Sequence, residues 1–207
     1  MKIIDLSYNL SNGIFAYPSD PKIIIKKKKN IARDGSMLHS LSFSTHSGTH
    51  LDVPAHIIEN GKSLDQFPLS AFMGKAIKVN KSNYRMLSKI EKDYNAIVYE
   101  TQWYLEYSDP TIFFGKNRPK IPNHLIDLIL ENNINIFCSD LPSVDESGSK
   151  EKPIHNALLG ENIIIYESLN NLNLLPDLKP FDFFGLPLSL GKVDGSPTRA
   201  IGILQND

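Results

Sequence analysis

"THSGTHLDVPAH", residues 45–56, gathers His46, His50, Asp52 and His56 into twelve positions of a chain that has six histidines. A helix would put His46 and His50 on one face, four residues apart. The local composition opposes a helix: Thr45, Thr49 and Val53 are β-branched, Gly48 interrupts the segment, and Pro54 disfavours a helical Val53. In an extended chain all four side chains share one parity and point to one face. His50 and Asp52 would then stand roughly 6.6 Å apart, close enough to reach one cation. His46 and His50 would stand about 13 Å apart, too far for two imidazoles that each bind a metal at about 2.1 Å. The chain must therefore bend between them, and Gly48 is the residue suited to it. A lone histidine on a β surface is ordinarily buried and hydrogen-bonded. Three with an aspartate around a glycine read instead as a metal site. Imidazole and carboxylate without thiolate suit zinc, manganese or iron, and three protein ligands with an open position suit catalysis.

The remaining composition bounds the answer. With 207 residues, 41 % of them apolar and 22 % charged, the chain reads as one globular domain over 1–207. A net charge of −1 gives no reason to expect a nucleic acid or an anionic membrane as partner. The run "KKKK" at 26–29 follows Ile23, Ile24 and Ile25 and reads as a solvated strand end. No apolar window is long enough for a membrane helix, and the segment "MKIIDLSYNLSNG" lacks a cleavage signature, so a cytoplasmic location is expected. Cys138, in "INIFC", reads as a buried strand residue rather than a nucleophile.

Short runs rich in Ile, Val and aromatics, bounded by turn formers, predict strands at 2–7, 22–27, 39–45, 75–80, 96–101, 134–140, 162–168 and 200–204. Apolar spacing near 3.6 predicts helices at 82–93 and 121–133, and the second leads directly into a strand as one αβ unit. The Pro- and Gly-containing stretches 15–21 and 141–153 read as loops of the kind that carry function. The expected class is α/β, with a mixed, barrel-like or swivelling β/β/α core and a few flanking helices.

"HSGTHLDVPAH" resembles the H-x-G-T-H-x-D-x-P-x-H signature of the metal-dependent cyclase family, which includes bacterial kynurenine formamidases. Carried over residue by residue, the resemblance implies that His46, His50 and Asp52 bind metal and that His56 is the catalytic acid/base. It extends to "HNALLGENIIIYE", where His155 and Glu167 match the family's second pair of metal ligands, with Glu161 the local competitor for Glu167. The segment "DLSYNLSNGIFAYPSDP" is similar to the family's N-terminal region and implies that Tyr17 lines the substrate pocket, where kynurenine formamidases commonly carry Trp. "CSDLPSVD" resembles the loop after a central strand and implies structural or pocket roles for Asp140 and Asp145.

The resemblance further implies one or two divalent ions per subunit, zinc ahead of manganese, a small-molecule substrate, and a homodimer or homotetramer. The implied chemistry is amide hydrolysis by metal-activated water, with N-formylkynurenine going to kynurenine and formate as the named example. A lactam of the isatin type, or a cyclic ketone, would use the same centre. A non-catalytic metal- or ligand-binding protein is the alternative from another class. Phe15, Tyr17, Trp103 and Phe114 are candidates for an aromatic wall.

Overall fold

Along β-strands Ala96–Glu100 and Ile136–Ser139 every residue is buried. Ala96, Val98, Ile136 and Cys138 enter one apolar cluster, while Ile97, Tyr99 and Phe137 enter another. This alternation with no polar face is the pattern of strands covered on both sides. The computed structural model describes residues 1–12, 16–89 and 93–205. Its strands in chain order are β1 (Lys2–Asp5), β2 (Ile24–Lys29), β3 (Leu38–Ser42), β4 (His50–Asp52), β5 (Met73–Asn80) and β6 (Ala96–Glu100). They continue with β7 (Ile136–Ser139), β8 (Ile164–Glu167), β9 (Pro180–Phe184), β10 (Gly195–Pro197) and β11 (Ile201–Leu204). The α-helices are α1 (Ile31–Asp34), α2 (Pro110–Phe113), α3 (Asn123–Leu130) and α4 (Pro153–Gly160).

Nine strands form one curled, half-barrel sheet in the order β1-β11-β9-β5-β6-β7-β8-β4-β10. Its centre, β5 to β8, is parallel, and antiparallel strands flank it on both sides. Helices α3 and α4 cover one face through Leu125, Ile126, Ile129, Leu158 and Leu159. The opposite face closes over Leu51, Val53, Tyr166, Phe181 and Phe183. Among the described residues no helix is long and apolar enough to cross a membrane.

The eight expected strands all correspond to observed ones, and α3 followed by β7 is the expected αβ unit. Strand β4 is the stretch read as extended through His50 and Asp52, while β9 and β10 were not anticipated, because runs of three to five residues with Pro or Gly carry little periodicity of their own. The helix expected at 82–93 is a 3₁₀ segment over Tyr84–Lys89, with residues 90–92 outside the described ones. Its buried residues, Tyr84 and Leu87, lie three apart, which matches three residues per turn. Lys26 to Lys29 are exposed on β2, whose only partner among the described residues is β3. Cys138 is buried in β7, where burial pushes its thiol well above the usual range, the environment of a packed strand residue.

Asp140 ties the end of β7 to the neighbouring loop. It accepts hydrogen bonds from the Thr101 N–H and Oγ1, both at 2.9 Å, and from the Tyr104 N–H at 3.3 Å. Burial outweighs these donors and pushes the carboxyl up to about 6. In the unfolded chain the same group ionises near 3.9. The folded state thus holds the proton to higher pH, and stability falls as pH rises from about 4 to 6. Relative to Asp140→Asn, the wild type should gain about 1 kcal/mol between pH 7 and pH 5. Urea-unfolding midpoints at the two pH values measure this; a constant gap between the two proteins would contradict it.

Candidate metal centre

Strand β4 pairs antiparallel with β8, which sets His50 opposite Glu167 and Asp52 opposite Ile165. The period of two points His50 and Asp52 to the same side. Just before β4 the chain turns through residues 45–49, and Gly48 takes φ +63°, a value open to glycine. A Cβ there would also stand 2.5 Å from Leu10 Cδ2. This turn brings His46 back beside the strand, with its ring centroid 5.1 Å from that of His50. After β4, Pro54–His56 forms a 3₁₀ turn and places the His56 ring 4.2 Å from that of His46. Strand β10 lies on the other side of β4, where Gly195 pairs with Asp52. A Cβ on Gly195 would meet Leu51 O at 2.4 Å and His46 Cε1 at 3.1 Å, so the bare backbone is what fits beside the imidazole. Only β4 itself is extended, so parity governs His50 and Asp52, while turns deliver His46 and His56.

Helix α4 contributes His155 and the end of β8 contributes Glu167. His155 Nε2 lies 3.5 Å from Asp52 Oδ2 and 3.3 Å from Glu167 Oε1. His50 Nε2 lies 3.5 Å from both Asp52 Oδ1 and Glu167 Oε2. Asp52, Glu167, His50 and His155 are each at most 4 % exposed. Partners behind the imidazoles fix which nitrogen faces the centre. His50 Nδ1 donates to Gly48 O at 2.9 Å, and His155 Nδ1 donates to Asp145 Oδ2 at 2.6 Å. Both Nε2 lone pairs are thereby turned toward Asp52 and Glu167, the orientation a metal ligand needs. The Val144 N–H donates to Glu167 Oε1 at 2.7 Å and holds that carboxylate in place.

The donor set fits a divalent cation. Ligand atoms of His46, Asp52 and His56 lie within 4.8 Å of one another, as do those of His50, Asp52 and Glu167, so Asp52 belongs to both groups. Asp52 Oδ2 is buried and accepts no hydrogen bond. Leaving such an oxygen unsatisfied costs about 1–3 kcal/mol or more when charged, and a cation would satisfy it. The field of the site is also anionic. Burial would lower the pKa of His46, but the Asp52 and Asp194 carboxylates outweigh it and hold it at about 10. Burial and Asp52 would raise Glu167, yet His155 and His50 bring it down to about 2. A metal ion would take up the role that these protons play.

The centre opens into a cavity of about 330 Å³. His46, His50, His56, His155 and Glu167 line it, together with Tyr17 and Phe114, whose rings lie 5.6 Å apart edge to face. Trp103 is not on this wall; it packs into the helix-covered core and donates Nε1–H to Phe113 O at 3.0 Å. Phe15 lies outside the described residues. His39, His124 and Glu161 are exposed. Asp145 is the residue behind His155, while Asp140 serves the fold.

Two residues at this centre were not singled out in the sequence, although Lys152 lies in the 141–153 loop expected to carry function. Asp194 accepts from His46 Nε2 at 2.8 Å, from Thr45 Oγ1 at 2.9 Å and from His56 Nδ1 at 3.3 Å. Lys152 places Nζ 3.4 Å from His56 Nε2. In sequence Asp194 precedes a glycine and Lys152 a proline, as charged residues in ordinary turns do.

The family described as "Putative cyclase" matches residues 4–146. A kynurenine formamidase of Geobacillus thermodenitrificans (strain NG80-2) is 30 % identical over 207 residues, covering 95 % of each chain. A kynurenine formamidase of Bacillus thuringiensis subsp. konkukian (strain 97-27) is 28 % identical over 209 residues, with 96 % of this chain and 95 % of the relative covered. The crystal structure of an isatin hydrolase bound to the product analogue thioisatinate superposes with a TM-score of 0.84. It is 22 % identical and covers 99 % of this chain and 93 % of that one.

Asp52→Ala should abolish binding of zinc or manganese, measured by elemental analysis of the purified protein. Asp145→Ala, which frees the His155 ring, should weaken binding about 10–100-fold in a chelator competition. Wild-type affinity in Asp145→Ala would show that His155 needs no such orientation.

Proposed function

We propose that this chain, which belongs to the cyclase family, hydrolyses the formyl amide of an N-formylated aryl substrate. N-formylkynurenine, cleaved to kynurenine and formate, is the named instance. The chain is a metal-dependent amide hydrolase. Curated relatives along nearly its whole length are kynurenine formamidases. The observation that carries the reading is the shared carboxylate Asp52, with its unsatisfied Oδ2, buried behind imidazoles that line an aromatic-walled cavity.

His46, His50, Asp52, His155 and Glu167 are the proposed ligands, and zinc or manganese the proposed ion. A divalent cation held there supplies Lewis-acid polarisation of a water molecule and of the amide carbonyl. The protein's own part is positioning and proton transfer. His56 donates from Nδ1 to Asp194, which leaves Nε2 as the basic nitrogen facing the cavity. It takes a proton from the attacking water and returns it to the amine nitrogen as the C–N bond breaks. Tyr17 and Phe114 are placed to flank a planar ring. An isatin-type lactam is the second substrate class, supported by the likeness of fold to an isatin hydrolase. The reading includes one domain over 1–207, a cytoplasmic location and a homodimer or homotetramer. Exposed Ile24, Leu38 and Leu41 on the β2–β3 arm suit a subunit contact.

His56→Ala should retain metal yet lower turnover of an aryl formamide about a hundredfold or more, followed as formate release. Full activity in that variant would remove His56 from the reaction. Inertness of the metal-loaded wild type toward formamides and lactams alike would favour a binding protein.

A further inference from the structure

The walls of the cavity carry an uneven set of charges. Asp20, Asp145, Glu146 and Glu167 line it, and among the described residues Lys152 is its only lysine or arginine. The acidic groups are engaged. Asp145 is bonded to His155, Glu167 to the Val144 N–H, Glu146 to Lys120 at 2.7 Å, and Asp20 accepts from Ser44 Oγ at 3.3 Å. Lys152 is half-buried, its Nζ lies 3.4 Å from the His56 ring, and no carboxylate among the described residues pairs with it. The backbone also holds it at a cost. Lys152 takes a left-handed conformation, φ 41° and ψ 59°, directly before Pro153. A non-glycine residue in that region costs about 1–3 kcal/mol and persists only where its surroundings enforce it, and a following proline narrows its choices further.

We propose that Lys152 is a specificity-determining residue that pairs with a carboxylate on the substrate. A single ammonium with no arginine beside it suits a monoanion rather than a phosphate, which draws several donors. This inference rests on the amide-hydrolase reading of the site and narrows it to aryl amides with a carboxylate side chain. N-formylkynurenine has one, and a neutral lactam has none.

Calorimetric binding of 3-benzoylpropanoate and of its uncharged amide, 3-benzoylpropanamide, to the metal-loaded protein tests the pairing. The wild type should prefer the carboxylate by about tenfold, the size of one charge-assisted hydrogen bond. Lys152→Arg should keep the preference, and both Lys152→Met and Lys152→Gln should reduce it to about twofold or less. The proposal is overturned if the wild type does not bind the carboxylate more tightly than the amide. It is equally overturned if the neutral variants keep the preference, as they would were the carboxylate held by the metal alone. Formate release from formanilide by the wild type is a separate measurement. Failure there, and also with N-formylkynurenine, which carries the carboxylate, would sink the amide-hydrolase reading and leave the binding comparison intact.

Discussion

Asp52 and Glu167 are carboxylates at 1 % and 4 % exposure, held on neighbouring strands of one sheet. Burying even one ionised carboxylate costs several kcal/mol unless charge and hydrogen bonds compensate it. The surroundings are arranged to do so. Imidazoles of His50 and His155 face both carboxylates, and the Val144 N–H caps one oxygen of Glu167. Asp52 Oδ2 is the point where compensation by the chain stops. A buried anion that protein groups alone leave short of partners is a cation's position, and the hydrogen bonds behind His50 and His155 hold their Nε2 atoms ready for it.

The fold supplies the rigidity that such a cluster needs. The parallel strands β5 to β8 are buried on both faces, so their ends are fixed by two cores at once. Glu167 stands at the carboxyl end of β8, and the loop after β7 brings Val144 and Asp145 to the same place. Ligand sites at the carboxyl ends of parallel strands are the general expectation for open α/β sheets. Here β4, which arrives from the N-terminal part of the chain, inserts beside β8 and adds His50 and Asp52. The site is thus assembled from segments more than a hundred residues apart.

Outside the ligands the cavity divides its labour. The rings of Tyr17 and Phe114 line it edge to face, and His56 lines it beside the cluster, its ring 4.2 Å from that of His46. Asp194 and Lys152 bracket His56, one at each ring nitrogen. The aspartate sets the tautomer, and the lysine brings positive charge to a wall whose carboxylates already have partners. On the proposed reading, such an environment would select among substrates by charge as well as by shape.

The residue types and spacing of 45–56 were enough to read a metal-competent segment, a bend at Gly48 and, by resemblance, its pairing with His155 and Glu167. Strands at 96–101 and 134–140 were legible because a strand buried on both faces is a continuous apolar run. Three things were not legible. The short strand β10 owes its form to its partner β4 across the sheet, with no periodicity of its own to announce it. The parity that would align all four residues holds only for His50 and Asp52, because the turn at 45–49 carries His46 and Pro54 turns the chain into a 3₁₀ segment at His56. Asp194 and Lys152 acquire meaning only from His56, which is 138 and 96 residues away in the chain. Local sequence fixes which atoms can bind a cation or a proton. Which of them share one buried space is decided by long-range strand pairing, because only the folded sheet brings those atoms within a few ångströms.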